Sequence, residues 1–200
     1  MGLRWAWRFS AITHPLFLNY LGFVLLFLCI PALRIMYTPT GLSYILGLYF
    51  LNVVVLPLIL MSMMKHKGVI ESYDLPDKQQ RKLPLILISL LYIMSYYLFQ
   101  KLDVHRLLLS YLLSAATILI FTSLLNNFYK ISLHAVGAGA LLGLICSLQF
   151  FTSTDLRPLL ILSLLLCGFI LTARNIAGDH SKAEYLTGLA VGFVPMWMML

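Results

Sequence analysis

Acidic side chains are scarce in this sequence. There are 7 Asp+Glu against 14 Lys+Arg in 200 residues, and charged residues of both signs make up only 10%. A soluble domain carries about 25% charged residues and is about 45–50% apolar. At 61% hydrophobic, this chain has too little charge to cover a water-facing surface. That excludes a separate soluble domain and leaves a polytopic membrane protein, read as a single membrane domain over residues 1–200. Cysteine is sparse as well. Cys29, Cys146 and Cys167 all lie inside apolar runs with no metal-ligand spacing, so they read as small buried hydrophobes. Neither a metal nor a cofactor is expected. No basic tract interleaved with aromatics is present, which sets nucleic acid aside as a partner. The formal charge of +7 instead suits loops that face anionic lipid head groups. No small-residue cleavage site follows the apolar run from Leu16, so Arg4 and Arg8 precede a retained first span. Internal repeats and low-complexity tracts are absent.

What is abundant is apolar sequence in lengths that fit a bilayer. Crossing the hydrocarbon core takes about 20 apolar residues, with a range of about 17–25. Seven segments meet or approach this: 15–33, 43–64, 84–100, 106–128, 132–152, 157–173 and 184–200. Breaks fall at Tyr37–Gly41, Gln100–Asp103, Asn126-Asn127 and Thr152–Asp155, and the one long polar loop is Lys65–Lys82. The expected fold is all-α, an integral membrane helical bundle of six to seven spans with a site at one membrane face. Parity supplies the face. Loops after the second, fourth and sixth spans return to the side of the N-terminus. They bring Arg81, Lys82, Ser132, His134, Arg174, His180 and Glu184 to one surface.

The stretch Arg174-Asn-Ile-Ala-Gly-Asp-His180-Ser-Lys-Ala-Glu184 is the most informative. His180 and Glu184 are four residues apart, one helical turn. Arg174 stands just upstream, within reach of an anion held near His180. Charge at this density inside a membrane protein is costly and marks function. Other polar residues have plainer readings beside their chemical ones. His134 could serve only as a hydrogen-bonding group at a span end, Ser132 as a helix cap, and Arg81 and Lys82 as membrane-surface anchors. His14, His66 and His105 read as interfacial and unrelated to chemistry. Gly137, Gly139 and Gly143, with Ala138 and Ala140, form a small-residue stripe suited to close helix packing.

In these residues the chain resembles the type 2 phosphatidic acid phosphatase superfamily, over roughly residues 75–200. That family carries Lys-x6-Arg-Pro, then Pro-Ser-Gly-His, then Ser-Arg-x5-His-x3-Asp. Ala173-Arg174-x5-His180-x3-Glu184 keeps the third spacing, with Ala for Ser and Glu for Asp. Ile131-Ser132-Leu133-His134 keeps half of the second. Arg81-Lys82-Leu83-Pro84 keeps basic charge before a proline but has no lysine at the expected distance upstream. The resemblance implies a phosphatase without a metal cofactor, acting through a phosphohistidine. His180 would be the nucleophile, Glu184 would fix its tautomer, and His134 would protonate the leaving oxygen. Arg174, with Arg81 or Lys82, would neutralise phosphoryl charge. Ser132 and the free N–H groups of its helix start suit an anion.

The expected partners are membrane lipids and a lipid-phosphate substrate, a phosphate or diphosphate ester on an apolar tail. The expected location is the bacterial cytoplasmic membrane. A different class of function is a catalytically inactive relative that binds lipid phosphate or scaffolds a membrane enzyme. It draws on the eroded first motif, Leu133 in place of Gly and Ala173 in place of Ser. A transporter would require charged residues at mid-bilayer depth, and the spans have none. Ten Lys+Arg fall on the N-terminal side and four on the other. The positive-inside rule then puts the site in the cytoplasm, whereas the family resemblance favours the outer side.

Overall fold

The computed structural model describes residues 12–73, 75, 77–177 and 181–200, and among them all regular structure is helical. The helices are α1 (Pro15–Cys29), α2 (Pro31–Ile35), α3 (Pro39–His66), α4 (Lys82–Lys101), α5 (Arg106–Leu125), α6 (Leu133–Phe151), α7 (Arg157–Ala177) and α8 (Lys182–Met199). Each of the seven apolar segments is helical. Five helices, α3 to α7, are long and apolar enough to cross a membrane, while α1 is apolar but shorter. The protein is therefore a multi-pass helical membrane protein.

Local sequence sets the helix ends. Proline occupies the first position of α1, α2 and α3, where its missing N–H costs nothing and its fixed φ already suits a helix. The Leu16 amide donates to His14 Nδ1 at 3.4 Å, and the Gly41 amide donates to Thr38 Oγ1 at 3.1 Å. Inside α3, Leu51–Val55 widens into a π turn just before Pro57. Proline has no N–H to give the carbonyl four residues back, and a π turn absorbs the mismatch. The freed Val53 carbonyl lies 3.5 Å from the Tyr92 hydroxyl of α4. Buried Ser89, Ser114 and Thr122 return their hydroxyls to the carbonyl four residues earlier, at 2.7, 2.8 and 2.7 Å. In hydrocarbon every polar group needs such an internal partner.

α6 is the central element, and α8 packs on it more extensively than any other helix does. Four glycines make this possible. A β-carbon on Gly188 would stand 2.8 Å from the Ser132 carbonyl oxygen, and one on Gly143 would stand 2.5 Å from that of Phe193. Gly139 meets the Leu189 carbonyl and Gly192 that of Val136 in the same way. Two small-x-x-x-small pairs thus let the backbones approach. Gly137 is different, because it faces Pro15 and Leu18 of α1. The registers also fix direction. Gly188 sits by Ser132 and Phe193 by Gly143, while Pro15 sits by Gly137 and Gly22 by Leu144. Both α8 and α1 therefore run parallel to α6. Farther along the bundle Phe23, Tyr49, Phe99 and Tyr111 form an aromatic core joining α1, α3, α4 and α5.

Candidate functional site

Arg81 is the N-cap of α4 and is only 2% exposed. Its Nε donates to the Leu75 carbonyl and its Nη1 to the Ile131 carbonyl, each at 2.6 Å. The planar guanidinium fork suits two acceptors set apart in this way. One side chain thus ties the loop before α4 to the segment before α6. Leu75 is left-handed, at φ 49°, a conformation that is costly for a branched residue. Its carbonyl is held in place by Arg81.

Arg174 lies in the last turn of α7 and is likewise 2% exposed. His134 is the second residue of α6 and is buried. Arg81, Arg174 and His134 all line one cavity of about 100 Å³. Among the described residues no carboxylate lines it, and two guanidiniums face it at the end where these helix termini meet.

The structure adds a residue that the sequence reading set aside. His14, the N-cap of α1, lines the same cavity, and its ring packs edge-on against His134 at a centroid distance of 6.0 Å. Burial, and then the nearby Arg174 charge, lowers its pKa to about 4. With Nδ1 accepting from Leu16, the neutral ring carries its proton on Nε2 and can donate it. The expectation that His14 is interfacial gives way to a buried place in the wall of this cavity. Span parity carried the signal, since His14 begins the first span on the same side as the other site residues.

Other expected site residues are placed differently. Lys82 begins α4, half-buried, and does not line the cavity. Ser132 occupies the N-cap position of α6 without a side-chain cap bond and is fully buried away from the cavity. Its Oγ has no hydrogen-bond partner among the described residues, and its amide faces the Glu184 carbonyl at 3.5 Å. Glu184 sits in the first turn of α8 and closes a capping box. Its Oε2 accepts from the Ser181 amide at 3.0 Å while Ser181 Oγ accepts from the Glu184 amide at 3.3 Å. This satisfies helix-end donors whether or not the carboxylate also serves chemistry. The expected nucleophile, His180, lies outside the described residues. Among those described, no three His, Cys, Asp or Glu group to hold a metal. Asn126, expected at a chain break, ends α5 and donates from Nδ2 to the Lys78 carbonyl at 3.1 Å.

The three motif segments are thus joined by the Arg81 side chain bonding to the Ile131 carbonyl and by the Ser132 amide facing the Glu184 carbonyl. No protein-family model, curated protein or solved structure matches the chain.

Proposed function

We propose that the protein hydrolyses a phosphate or diphosphate ester carried on a lipid tail, as the resemblance to type 2 phosphatidic acid phosphatases implies. The observation that carries the reading is that Arg81, Arg174 and His134 converge on one cavity wall that has no carboxylate among the described residues. Phosphoryl transfer asks for little beyond positioning and charge neutralisation, and two buried guanidiniums are suited to both. In the proposed reaction an imidazole nitrogen of His180 forms a bond to phosphorus. The bond from phosphorus to the lipid-side oxygen breaks, and His134 gives that oxygen a proton. Water then attacks the phosphohistidine, His134 takes a proton back, and inorganic phosphate leaves. His14 Nε2–H would donate to a phosphoryl oxygen.

The finer topology belongs to the same proposal. All seven long helices cross, and the site lies at the face where α1, α4, α6 and α8 begin. In support, α1 and α8 run parallel to α6, one of the five helices long enough to span. The cytoplasmic membrane of a bacterium is the proposed location.

Phosphate release from a panel of lipid phosphates tests the reading. Wild type is expected to turn over, His180→Ala to lose turnover while remaining folded, and an acid-labile phosphoenzyme to be absent in that variant. Full activity of His180→Ala would overturn the mechanism. One observation favours a second reading, a binding protein without turnover: Glu184 already has a structural task in its capping box. Under that reading the wild type binds a lipid phosphate and releases no phosphate from it.

A further inference from the structure

Part of the cavity wall is not helix. Tyr73 and Leu75, from the segment between α3 and α4, line it together with Pro84, Leu133 and Arg174. Tyr73 is 42% exposed and Leu75 only 3%, so this stretch faces the cavity on one side and the outside on the other. Its roots are pinned. Ile70 and Arg81 are buried at either end, and the Lys78 carbonyl accepts from Asn126 Nδ2 at 3.1 Å. The part between is held by separable contacts. The Glu71 amide donates to Gln80 Oε1 at 2.9 Å, Arg81 Nε donates to the Leu75 carbonyl, and the Lys65 ammonium lies 4.7 Å from the centre of the Tyr73 ring. Against them stands the left-handed backbone of Leu75, at φ 49°, which a branched residue adopts only under constraint. Release of its carbonyl relieves that strain. The closed arrangement balances a few bonds against backbone strain, the condition under which a loop exchanges between two positions.

We propose that Glu71, Ser72, Tyr73 and Leu75 belong to a flap over the cavity, with Leu75 as its plug and the Arg81–Leu75 bond as its latch, and that entry to the cavity requires the flap to lift. The inference goes beyond the phosphatase reading and does not depend on it, because it concerns access, whatever ligand the cavity takes. Size leads to the same point. At about 100 Å³ the cavity is smaller than the roughly 150 Å³ that holds one benzene ring. A ligand larger than a few waters therefore needs the wall to move.

Thiol access tests this in the full-length protein in nanodiscs, with Cys29, Cys146 and Cys167 replaced by alanine. Thr122→Cys places a thiol on the cavity wall, where the native side chain is buried. Ser147→Cys places one at a buried position off the cavity. A small membrane-impermeant methanethiosulfonate is expected to modify Thr122→Cys far more slowly than the exposed Asn127→Cys. Lys65 and Gln80 do not line the cavity. Lys65→Ala and Gln80→Ala should each raise the Thr122→Cys rate about threefold, and together about tenfold, with the Ser147→Cys rate unchanged. Equal acceleration at Ser147→Cys would mean general loosening in place of a flap. Modification of Thr122→Cys as fast as that of Asn127→Cys, before either substitution, would mean that the cavity already stands open. A Thr122→Cys rate that neither substitution alters, or no modification even in the double variant, would mean that this wall does not lift. Each of these results overturns the proposal. Turnover is not read, so failure of the phosphatase reading and failure of the flap are told apart.

Discussion

Arg81 shows how a buried charge is tolerated here and what it controls. Its bonds to the Leu75 and Ile131 carbonyls are charge-assisted, a class worth about 1.5–3 kcal/mol each. Lysine has one nitrogen and cannot span both acceptors. Arg81→Lys is therefore expected to lower stability by about 2 kcal/mol, read as a drop in the thermal unfolding midpoint in one detergent, and to weaken phosphate binding as well. An unchanged midpoint would show that the fork is not holding the two segments. His14 makes a prediction of a different kind. Its pKa is lowered from 6.5 to about 4 in the folded protein. Between those values the unfolded chain takes up a proton that the native ring refuses, so stability falls as pH drops from 6.5 to 4 and His14 has no further effect below that. The loss is about 3 kcal/mol. His14→Gln should flatten that part of the stability profile, and saturating phosphate should shrink the slope in wild type, because a bound anion favours the charged ring. A variant with the same slope as wild type would remove His14 as its source. Parity separates His14 from His105 but not from His66. Its role comes from the register that sets α1 beside the start of α6.

Glycines divide into those that determine helix packing and those that do not, and the division is measurable. On α6 and α8, a methyl at Gly139 or Gly192 would collide with the backbone of the facing helix, while Gly47 and Gly168 have nothing within 4 Å of the added carbon. Gly139→Ala and Gly192→Ala should each destabilise by about 1–3 kcal/mol. Gly47→Ala and Gly168→Ala should stabilise by about 0.5–1 kcal/mol, because alanine loses less entropy in a helix. Thermal unfolding of the four variants in one detergent decides it, and a similar response from all four would sink the packing account. At the start of α8, Glu184→Gln can still accept from the Ser181 amide, so stability should change by less than about 0.5 kcal/mol, whereas Glu184→Ala should cost about 1 kcal/mol. If the carboxylate also orients His180, the Gln variant loses turnover at unchanged stability. Undiminished turnover would leave Glu184 with its cap alone. The helices themselves were legible from apolar run length, and the breaks from Asn126-Asn127 and the proline and charge clusters. The sequence pattern could not give partner or register. The Gly137–Gly143 stripe looked like one packing face, yet Gly139 and Gly143 meet α8 while Gly137 meets α1, a split that depends on where the neighbouring helices lie.

Parity within the whole bundle puts Arg81, His134 and Arg174 at one end, and the three line one cavity. It could not tell which of them meet. Ser132 turned inward between α6 and α8, and Lys82 stayed off the cavity, since one residue along a helix rotates a side chain by about 100°. The same bundle makes a prediction about the two elements least able to span by themselves. The 15 residues of α1 are about 22 Å long, short of a hydrocarbon core of about 30 Å, and α8 opens with Lys182 and Glu184. Each nonetheless lies parallel to α6, with contacts from its first turns, Pro15 against Gly137 and Gly188 against Ser132, to deeper ones, Gly22 against Leu144 and Met196 against Gly143. An element held along a spanning helix in this way is expected to traverse the same thickness, with a local thinning of the bilayer around the shorter one. Seven crossings, as proposed, would put the two ends of the described chain on opposite sides. In a variant with Cys29, Cys146 and Cys167 replaced by alanine, a membrane-impermeant maleimide applied from one side should label Asn127→Cys and Ile12→Cys together, and Phe150→Cys and Leu200→Cys only from the other side. Labelling of Leu200→Cys from the same side as Asn127→Cys would mean that α8 re-enters without crossing, and six spans would remain.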